Sequence, residues 1–349
     1  MKILILGGTR FLGYHLAGAA RAQGHEVTLF HRGRHPVATV PGAETILGDR
    51  RTDLGRLDGR TWDAVVDTSG YLPGDVAAAV EALAPAAGQY IFISSLSVYR
   101  DCSVPGLDET APLVTLTPEQ LQEADAIDTS GSISAVTFGR LYGGLKVWCE
   151  RAVEDAPRCL VIRCGLIAGP YDYTDRLTYW AVRVARGGEV LAPAPPEQNV
   201  QFIDARDLAG WIVRMAERQQ GGIYNATGAA GAVTMASLLE SCREVAGSEA
   251  AFTWADERFL LREQVAPWTE LPLWIAREAM PHMAGFIAFD CRKAAGAGLS
   301  YRPLPETLRD TLEWYRAAEN GRPLRAGLSA DRERLLLQRW RAAGGTERK

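Results

Sequence analysis

Tyr142 and Lys146 stand four residues apart in Tyr142-Gly143-Gly144-Leu145-Lys146, a spacing that puts both on one face of a helix. An ammonium beside a phenol favours the phenolate and lowers its pKa from about 10, which suits the pair to proton transfer near neutrality. Upstream, an apolar run ends in Ser94-Ser95-Leu96-Ser97-Val98-Tyr99 and offers a hydroxyl at the end of a strand. A Tyr-x-x-x-Lys spacing is common by accident, so its weight depends on what the rest of the chain builds around it.

The first residues build a second kind of site. Lys2 to Leu6 read as a strand buried on both faces, which runs directly into Gly7-Gly8-Thr9-Arg10-Phe11-Leu12-Gly13 and then a helical pattern. Glycines there let the backbone turn tightly and approach a pyrophosphate, which the N–H groups and dipole of the helix N-terminus stabilise. A glycine-rich turn in that setting points to a dinucleotide. The next strand ends in His31-Arg32-Gly33-Arg34, where a carboxylate would hydrogen-bond the adenosine ribose 2′-OH of NAD. No carboxylate is present and two guanidiniums are, which suits the 2′-phosphate of NADP; the other reading is solvated loop arginines. Arg10 offers a further phosphate contact, Asp49 beside Arg50 an acceptor for the adenine amino group, and Asp67-Thr68-Ser69-Gly70 a small-residue turn close to the ribose. NADP is the expected cofactor, with NAD as the alternative.

These groups need a scaffold that brings strand ends to one edge. Short apolar runs recur at 2–6, 27–30, 44–47, 64–67, 90–94, 159–164 and 222–225, most of them separated by helix-length segments such as 73–83, 141–153 and 205–217. That alternation predicts an α/β fold, a Rossmann doubly wound parallel sheet of about seven strands. The polar stretch 101–134 reads as an insertion over the sheet's carboxyl edge. After Gly228 helices are expected near 235–245 and 257–265, followed by a Trp- and Pro-rich piece over 267–283 and a last helix capped by Ser329 and running to about Arg341. The predicted division is a dinucleotide-binding domain over 1–164, to which 200–228 return, and a smaller substrate-binding lobe over 165–199 and 229–349. Residues 344–349 are expected to fray.

Over about residues 1 to 245 the chain resembles an extended short-chain dehydrogenase/reductase of the NAD-dependent epimerase/dehydratase type. The resemblance is carried by Ile-Leu-Gly-Gly-Thr-Arg-Phe-Leu-Gly, Leu-Gly-Asp-Arg, Tyr-Gly-Gly-Leu-Lys, Gly165-Leu166-Ile167-Ala168-Gly169-Pro170, Gln201-Phe202-Ile203-Asp204-Ala205-Arg206-Asp207 and Tyr224-Asn225-Ala226-Thr227-Gly228. These are similar in particular to a bacterial subgroup described only as reductase or epimerase-like, and the opening motif is similar to that of chloroplast stem-loop RNA-binding proteins. The resemblance implies that Ser95 is the catalytic hydroxyl, Tyr142 the general acid/base, and Lys146 the orienter that also holds the nicotinamide ribose. Two positions depart from the nucleotide-sugar pattern: Leu166 stands where an Asn typically meets the sugar nucleotide, and Val200-Gln201 where an Arg often precedes the Phe-Ile segment. Tyr71 together with Tyr173, Arg176 and Trp180 of the 171–180 segment could instead surround a planar or carboxylated molecule, or the same aromatics could pack two lobes together.

Composition sets the outer limits. At 349 residues with 47% hydrophobic and 23% charged, the chain is globular in make-up. Its 38 Lys plus Arg against 42 Asp plus Glu leave a net charge of −4, which argues against a nucleic-acid partner, since phosphate neutralisation dominates such affinity. No run of 18 apolar residues occurs and no membrane association is expected. Six cysteines without a Cys-x-x-Cys spacing read as free thiols in a reducing compartment, and His31 with His35 lacks a third ligand, so no metal is expected. The expectation is a cytoplasmic NAD(P)-dependent oxidoreductase acting on a small molecule, as monomer or homodimer through the helices near 73–83 and 141–153. The alternatives are a sugar or sugar-nucleotide epimerase/dehydratase that retains its NAD(P), and a non-catalytic nucleotide-sensing or RNA-binding protein.

Overall fold

In the first strand Ile3 and Ile5 face one layer of helices while Leu4 and Leu6 face the other, and all four are essentially without solvent exposure. A strand apolar on both sides can rest only between two helical layers, and the computed structural model, which describes residues 1–34, 40–131, 133–318 and 322–345, shows both. His35 and Thr346 to Lys349, on which the histidine pair and the frayed tail bear, lie outside the described residues.

The chain opens with β1 (Lys2–Leu6), α1 (Leu12–Ala22), β2 (Glu26–His31), β3 (Glu44–Leu47), β4 (Ala64–Asp67), α2 (Pro73–Leu83) and β5 (Tyr90–Ser95). It continues through α3 (Pro118–Asp125), α4 (Ala135–Phe138), α5 (Tyr142–Val153), β6 (Leu160–Cys164), β7 (Ile167–Ala168), α6 (Arg176–Ala185), β8 (Glu189–Pro193), β9 (Ile203–Asp204), α7 (Ala205–Glu217) and β10 (Gly222–Ala226). The remainder is α8 (Met235–Ala246), β11 (Ala251–Ala255), α9 (Glu257–Arg262), α10 (Arg292–Gly296), α11 (Leu304–Ala318) and α12 (Ala330–Ala342). Seven strands form one parallel sheet in the order β3-β2-β1-β4-β5-β6-β10. This is the doubly wound arrangement expected from the alternation of runs and helices. Residues of α1 and α7 cover one face, and residues of α2 and α5 the other.

Because β1, β4 and β5 run in parallel, their carboxyl ends meet at one edge. Leu6 pairs with Asp67, and Ser95 at the end of β5 pairs with Cys164 of β6. Every loop that leaves those ends therefore opens toward the same region. Between β6 and β10 the chain leaves the sheet to make α6 and β8, and β8 pairs with β11 in a separate two-stranded sheet. Here α6 and α8 share a core with α11 and α12 through Trp180, Leu238, Leu312 and Leu336.

Several elements differ from the sequence reading. The insertion over 101–134 contains a helix, α3, whose start is fixed by a capping box between Thr117 and Gln120. Both α6 and α11 were absent from the reading, as was the β8–β11 pair. Among the described residues no helix is long and apolar enough to cross a membrane, and no three His, Cys, Asp or Glu side chains are grouped to hold a metal ion.

Candidate active site

The turn after β1 is built from backbone that side chains would obstruct. Gly7 and Gly8 have φ of 97° and 82°, and a Cβ on Gly13 would lie 2.5 Å from the Gly8 Cα. Phe11, which precedes α1, gives that helix no side-chain cap; the Gly13 N–H is taken by the Arg10 carbonyl at 2.9 Å, and the dipole of the helix start faces the turn. Gly13→Val is therefore expected to push the turn outward and abolish dinucleotide binding. Calorimetric titration with NADPH checks this, and a variant that binds like the parent protein would show that the close approach has no bearing on the site.

At the far end of the cleft lies a group of cations. Arg32 donates to the Thr129 and Gly131 carbonyls at 3.4 and 3.2 Å and stands 3.9 Å from Asp49. Its pKa is lowered by burial and by the nearby charges of Arg34 and Arg51, against the pull of Asp49 and Asp75. Arg51 bonds Asp75 through Nε and Thr129 Oγ1 at 2.7 Å. The insertion thus reaches across the sheet edge and touches two of the arginines. Three guanidiniums crowded this closely favour a bound anion.

At the inner end, α5 lies directly against the turn after β5. A Cβ on Gly143 would fall 2.0 Å from the Ser97 carbonyl oxygen, so only glycine permits the approach that sets Tyr142 beside Ser95. Ser95 Oγ accepts from the Ser97 N–H at 3.1 Å and stands 3.2 Å from Ser97 Oγ, which fixes the hydroxyl at the end of β5. Lys146 is buried to 4% exposure and donates to the carbonyls of Gly70 and Ile93 at 2.7 and 2.8 Å. Behind it, Glu150 accepts from Ser94 Oγ at 2.5 Å and from Arg163 at 3.0 and 2.8 Å, and Arg163 also donates to the Tyr99 hydroxyl at 3.0 Å. Tyr71 stacks on Phe138 at 5.9 Å and lies 6.3 Å from Tyr142, while Arg10 sits 3.7 Å over the ring of Tyr173. One cleft of about 330 Å³ joins the arginines to Ser95, Tyr142 and Lys146, within the usual size of small-molecule sites.

No family model matches the chain. A curated relative, the chloroplast stem-loop binding protein of 41 kDa b from Arabidopsis thaliana, is 27% identical over 265 residues, 70% of this chain and 63% of the relative, so the match spans less than two thirds of that protein. Among solved structures, UDP-N-acetylglucosamine 4-epimerase from Bacillus cereus superposes with a TM-score of 0.63 at 16% identity, covering 93% of this chain and 99% of its own. A human epimerase family protein bound to NADPH superposes with a TM-score of 0.56 at 20% identity, covering 90% and 99%. The fold is that of the extended short-chain dehydrogenase/reductases.

Within this extended dehydrogenase/reductase fold, the cleft is lined by Gly7, Thr9, Arg10, Phe11, Leu12, Gly13, His31, Arg32, Arg34, Asp49, Arg50, Thr68, Ser69, Tyr71, Ser95, Tyr142, Lys146 and Tyr173. Arg176, expected beside the substrate, is not among the residues that line the cleft. Four further expectations need correction. Trp180 is fully buried in the core of the smaller lobe, its indole donating to the Pro272 carbonyl at 2.8 Å, because α6 turns that face away from the cleft. Gly70 is buried off the cleft and serves through its carbonyl, which holds Lys146. Arg50 reaches the cleft wall, but its guanidinium is committed to Asp67 at 2.9 and 2.8 Å and to the Asp75 carbonyl at 3.0 Å. Finally, the Tyr142 phenol is not held below 10: burial raises its pKa, and the Ser95 hydrogen bond pulls only partly the other way. Lys146 points its ammonium at two carbonyls, and burial lowers its own pKa.

The sequence reading missed Arg51, Asp75, Cys164, Gly165 and Ile133, which also line the cleft. Arg51 had a signal, being a further arginine next to Asp49-Arg50. Ile133 had none, since nothing in the insertion says that its end returns to the sheet edge.

Proposed function

We propose that this chain is an NAD(P)-dependent oxidoreductase that moves hydride between the nicotinamide and a carbonyl or carbinol carbon, with NADP preferred. The observation that carries the reading is the convergence of Ser95, Tyr142 and Lys146 on the inner end of a cleft whose entrance is the glycine turn and whose far end is Arg32, Arg34 and Arg51. The residues fit the cofactor: the tight turn that suits a pyrophosphate can form because Gly7 and Gly13 carry no Cβ to strike Thr68 and the Gly8 backbone, and the arginines suit a 2′-phosphate.

NADP, when bound, supplies or takes up the hydride. In the direction of reduction Tyr142 gives its proton to the substrate oxygen as the carbon gains hydride, and Ser95 donates to that oxygen and polarises it beforehand. In the reverse direction Tyr142 accepts the hydroxyl proton. Lys146, which donates to the Gly70 and Ile93 carbonyls and lies on the same face of α5, would hold the nicotinamide ribose.

A sugar-nucleotide epimerase is less well supported. Gln201 spends its amide on the Gly228 and Phe289 carbonyls at 2.8 and 2.9 Å, and Leu166 is packed in the core of the lobe, so neither position offers a group to a diphosphate sugar. An RNA-binding role has only the name of the curated relative behind it.

NADPH is expected to bind at least about tenfold more tightly than NADH, the value of one charge-assisted hydrogen bond, and Arg32→Asp to reverse the order. Fluorescence titration measures both. Equal affinities in the parent protein would remove the NADP preference. Mass spectrometry of the purified chain, with a count of NADPH consumed per product, tests the class of reaction: a retained cofactor with no net consumption would favour the epimerase.

A further inference from the structure

We infer that Thr129, in the insertion between α3 and α4, selects the cofactor: it positions Arg51 for the 2′-phosphate of NADP and so makes the insertion part of the dinucleotide site. This rests on the NADP preference proposed above and names a residue that sets it. Thr129 is not among the residues that line the cleft, so it acts through the arginines that do. Its backbone carbonyl accepts from Arg32 Nη1 at 3.4 Å and its hydroxyl accepts from Arg51 Nη1 at 2.7 Å, so one residue sets the separation of two cations. Thr129 itself is fixed. It is 6% exposed, and Ile127 and Ile133 on either side of it pack against the apolar cluster of Leu72, Leu141 and Leu145.

Arg51 is held on two sides. Its Nε donates to both carboxylate oxygens of Asp75, in the first turn of α2, at 3.0 and 2.9 Å, while Thr129 takes Nη1. Among the described residues Nη2 has no hydrogen-bond partner, and Arg51 lines the cleft together with Arg32 and Arg34. A hydroxyl suits this task better than the alternatives. A second carboxylate would cancel the charge that attracts a phosphate, and an apolar side chain would let the guanidinium turn wholly onto Asp75. The hydroxyl orders the guanidinium and leaves its charge. That order exists before the ligand arrives, so less conformational freedom is lost when a phosphate binds. The 2′-OH of NAD carries no charge and gains little from the same arrangement. The smaller lobe has no part in this brace: it borders the cleft through Tyr173, on a turn clasped where both terminal nitrogens of Arg322 donate to Asp175 at 2.6 Å.

The test is fluorescence titration of the full chain with NADPH and with NADH. Thr129→Val keeps the carbonyl and the shape and removes the hydroxyl. It is expected to weaken NADPH binding by about 3- to 10-fold, the range of one hydrogen bond, with NADH within about twofold and an unchanged melting curve. Thr129→Ser restores the acceptor and should restore most of the affinity. In an Arg51→Gln background Thr129→Val should have no further effect, since the hydroxyl acts through that guanidinium. Unchanged NADPH binding in Thr129→Val, an equal loss for NADH, a Ser variant as weak as the Val variant, or additive effects of the two substitutions would each overturn the inference alone. Should Thr129→Val not fold, Arg51→Gln decides: a lost NADPH preference upholds the inference and an undiminished one overturns it. Equal affinities for NADPH and NADH in the parent protein would remove the NADP preference and this inference with it.

Discussion

Tyr142→Phe is expected to cut turnover by about 10²- to 10⁴-fold, the usual contribution of a positioned acid or base, while leaving NADPH affinity within about twofold. The substitution deletes one oxygen and keeps a ring that lies 6.3 Å from Tyr71 on a helix anchored elsewhere by Lys146 and Glu150. Loss of turnover with intact binding and an unchanged melting curve therefore reports the proton step. Since burial holds the phenol above its ordinary value, the group is protonated throughout the physiological range and is ready as an acid. Reduction should be flat with pH up to neutrality and beyond. Oxidation needs the phenolate and should speed up as pH rises. Stopped-flow rates in both directions check the pair of profiles; undiminished turnover in Tyr142→Phe would show that the hydroxyl is not used.

Glu150→Ala should destabilise the chain by about 3–5 kcal/mol, the range for breaking one side of a buried ion pair. Arg163 is 2% exposed, and removing Glu150 leaves that guanidinium with only the Tyr99 hydroxyl and the Glu109 carbonyl, and Ser94 without its acceptor. The damage would spread to the site. Glu150 is one helical turn beyond Lys146 and ties α5 to β5 and β6, so its loss loosens the helix that carries Tyr142. Urea unfolding measures the first effect, and turnover in the remaining folded fraction the second. A loss below about 1 kcal/mol would mean that water replaces the carboxylate, contrary to the burial seen here.

Residues that follow from local rules could be read from the sequence. The β1 run, the glycine turn and α1 are set by apolar continuity and by a helix start, and Tyr142 and Lys146 share a helix whose phase is fixed by a spacing of four. Trp180 shows where local rules stop. An aromatic near a site reads the same whether it faces a ligand or a core, and only the start of α6 at Arg176, set by the left-handed Asp175, decides the phase. Arg50 and Arg51 are adjacent and chemically identical, yet one is drawn inward by Asp67 and the other stays at the cleft, a choice made by a partner 17 residues away. In α11 the apolar positions Leu308, Leu312 and Tyr315 keep helical spacing, but they gain a purpose only from the core of the smaller lobe.

The clasp between Asp175 and Arg322 joins residues 147 positions apart. Protein synthesis proceeds from the N-terminus at about 5–20 residues per second, so Arg322 follows Asp175 out of the ribosome only after some 7–30 seconds. Throughout that interval every strand of the central sheet as far as β6 can pair, whereas the turn bearing Tyr173 has only its local bonds between Asp172 and Thr174. Six of the seven strands of the central sheet are thus in place on the nascent chain while the turn after β7 still waits for the residue that clasps it from the far end of the sequence.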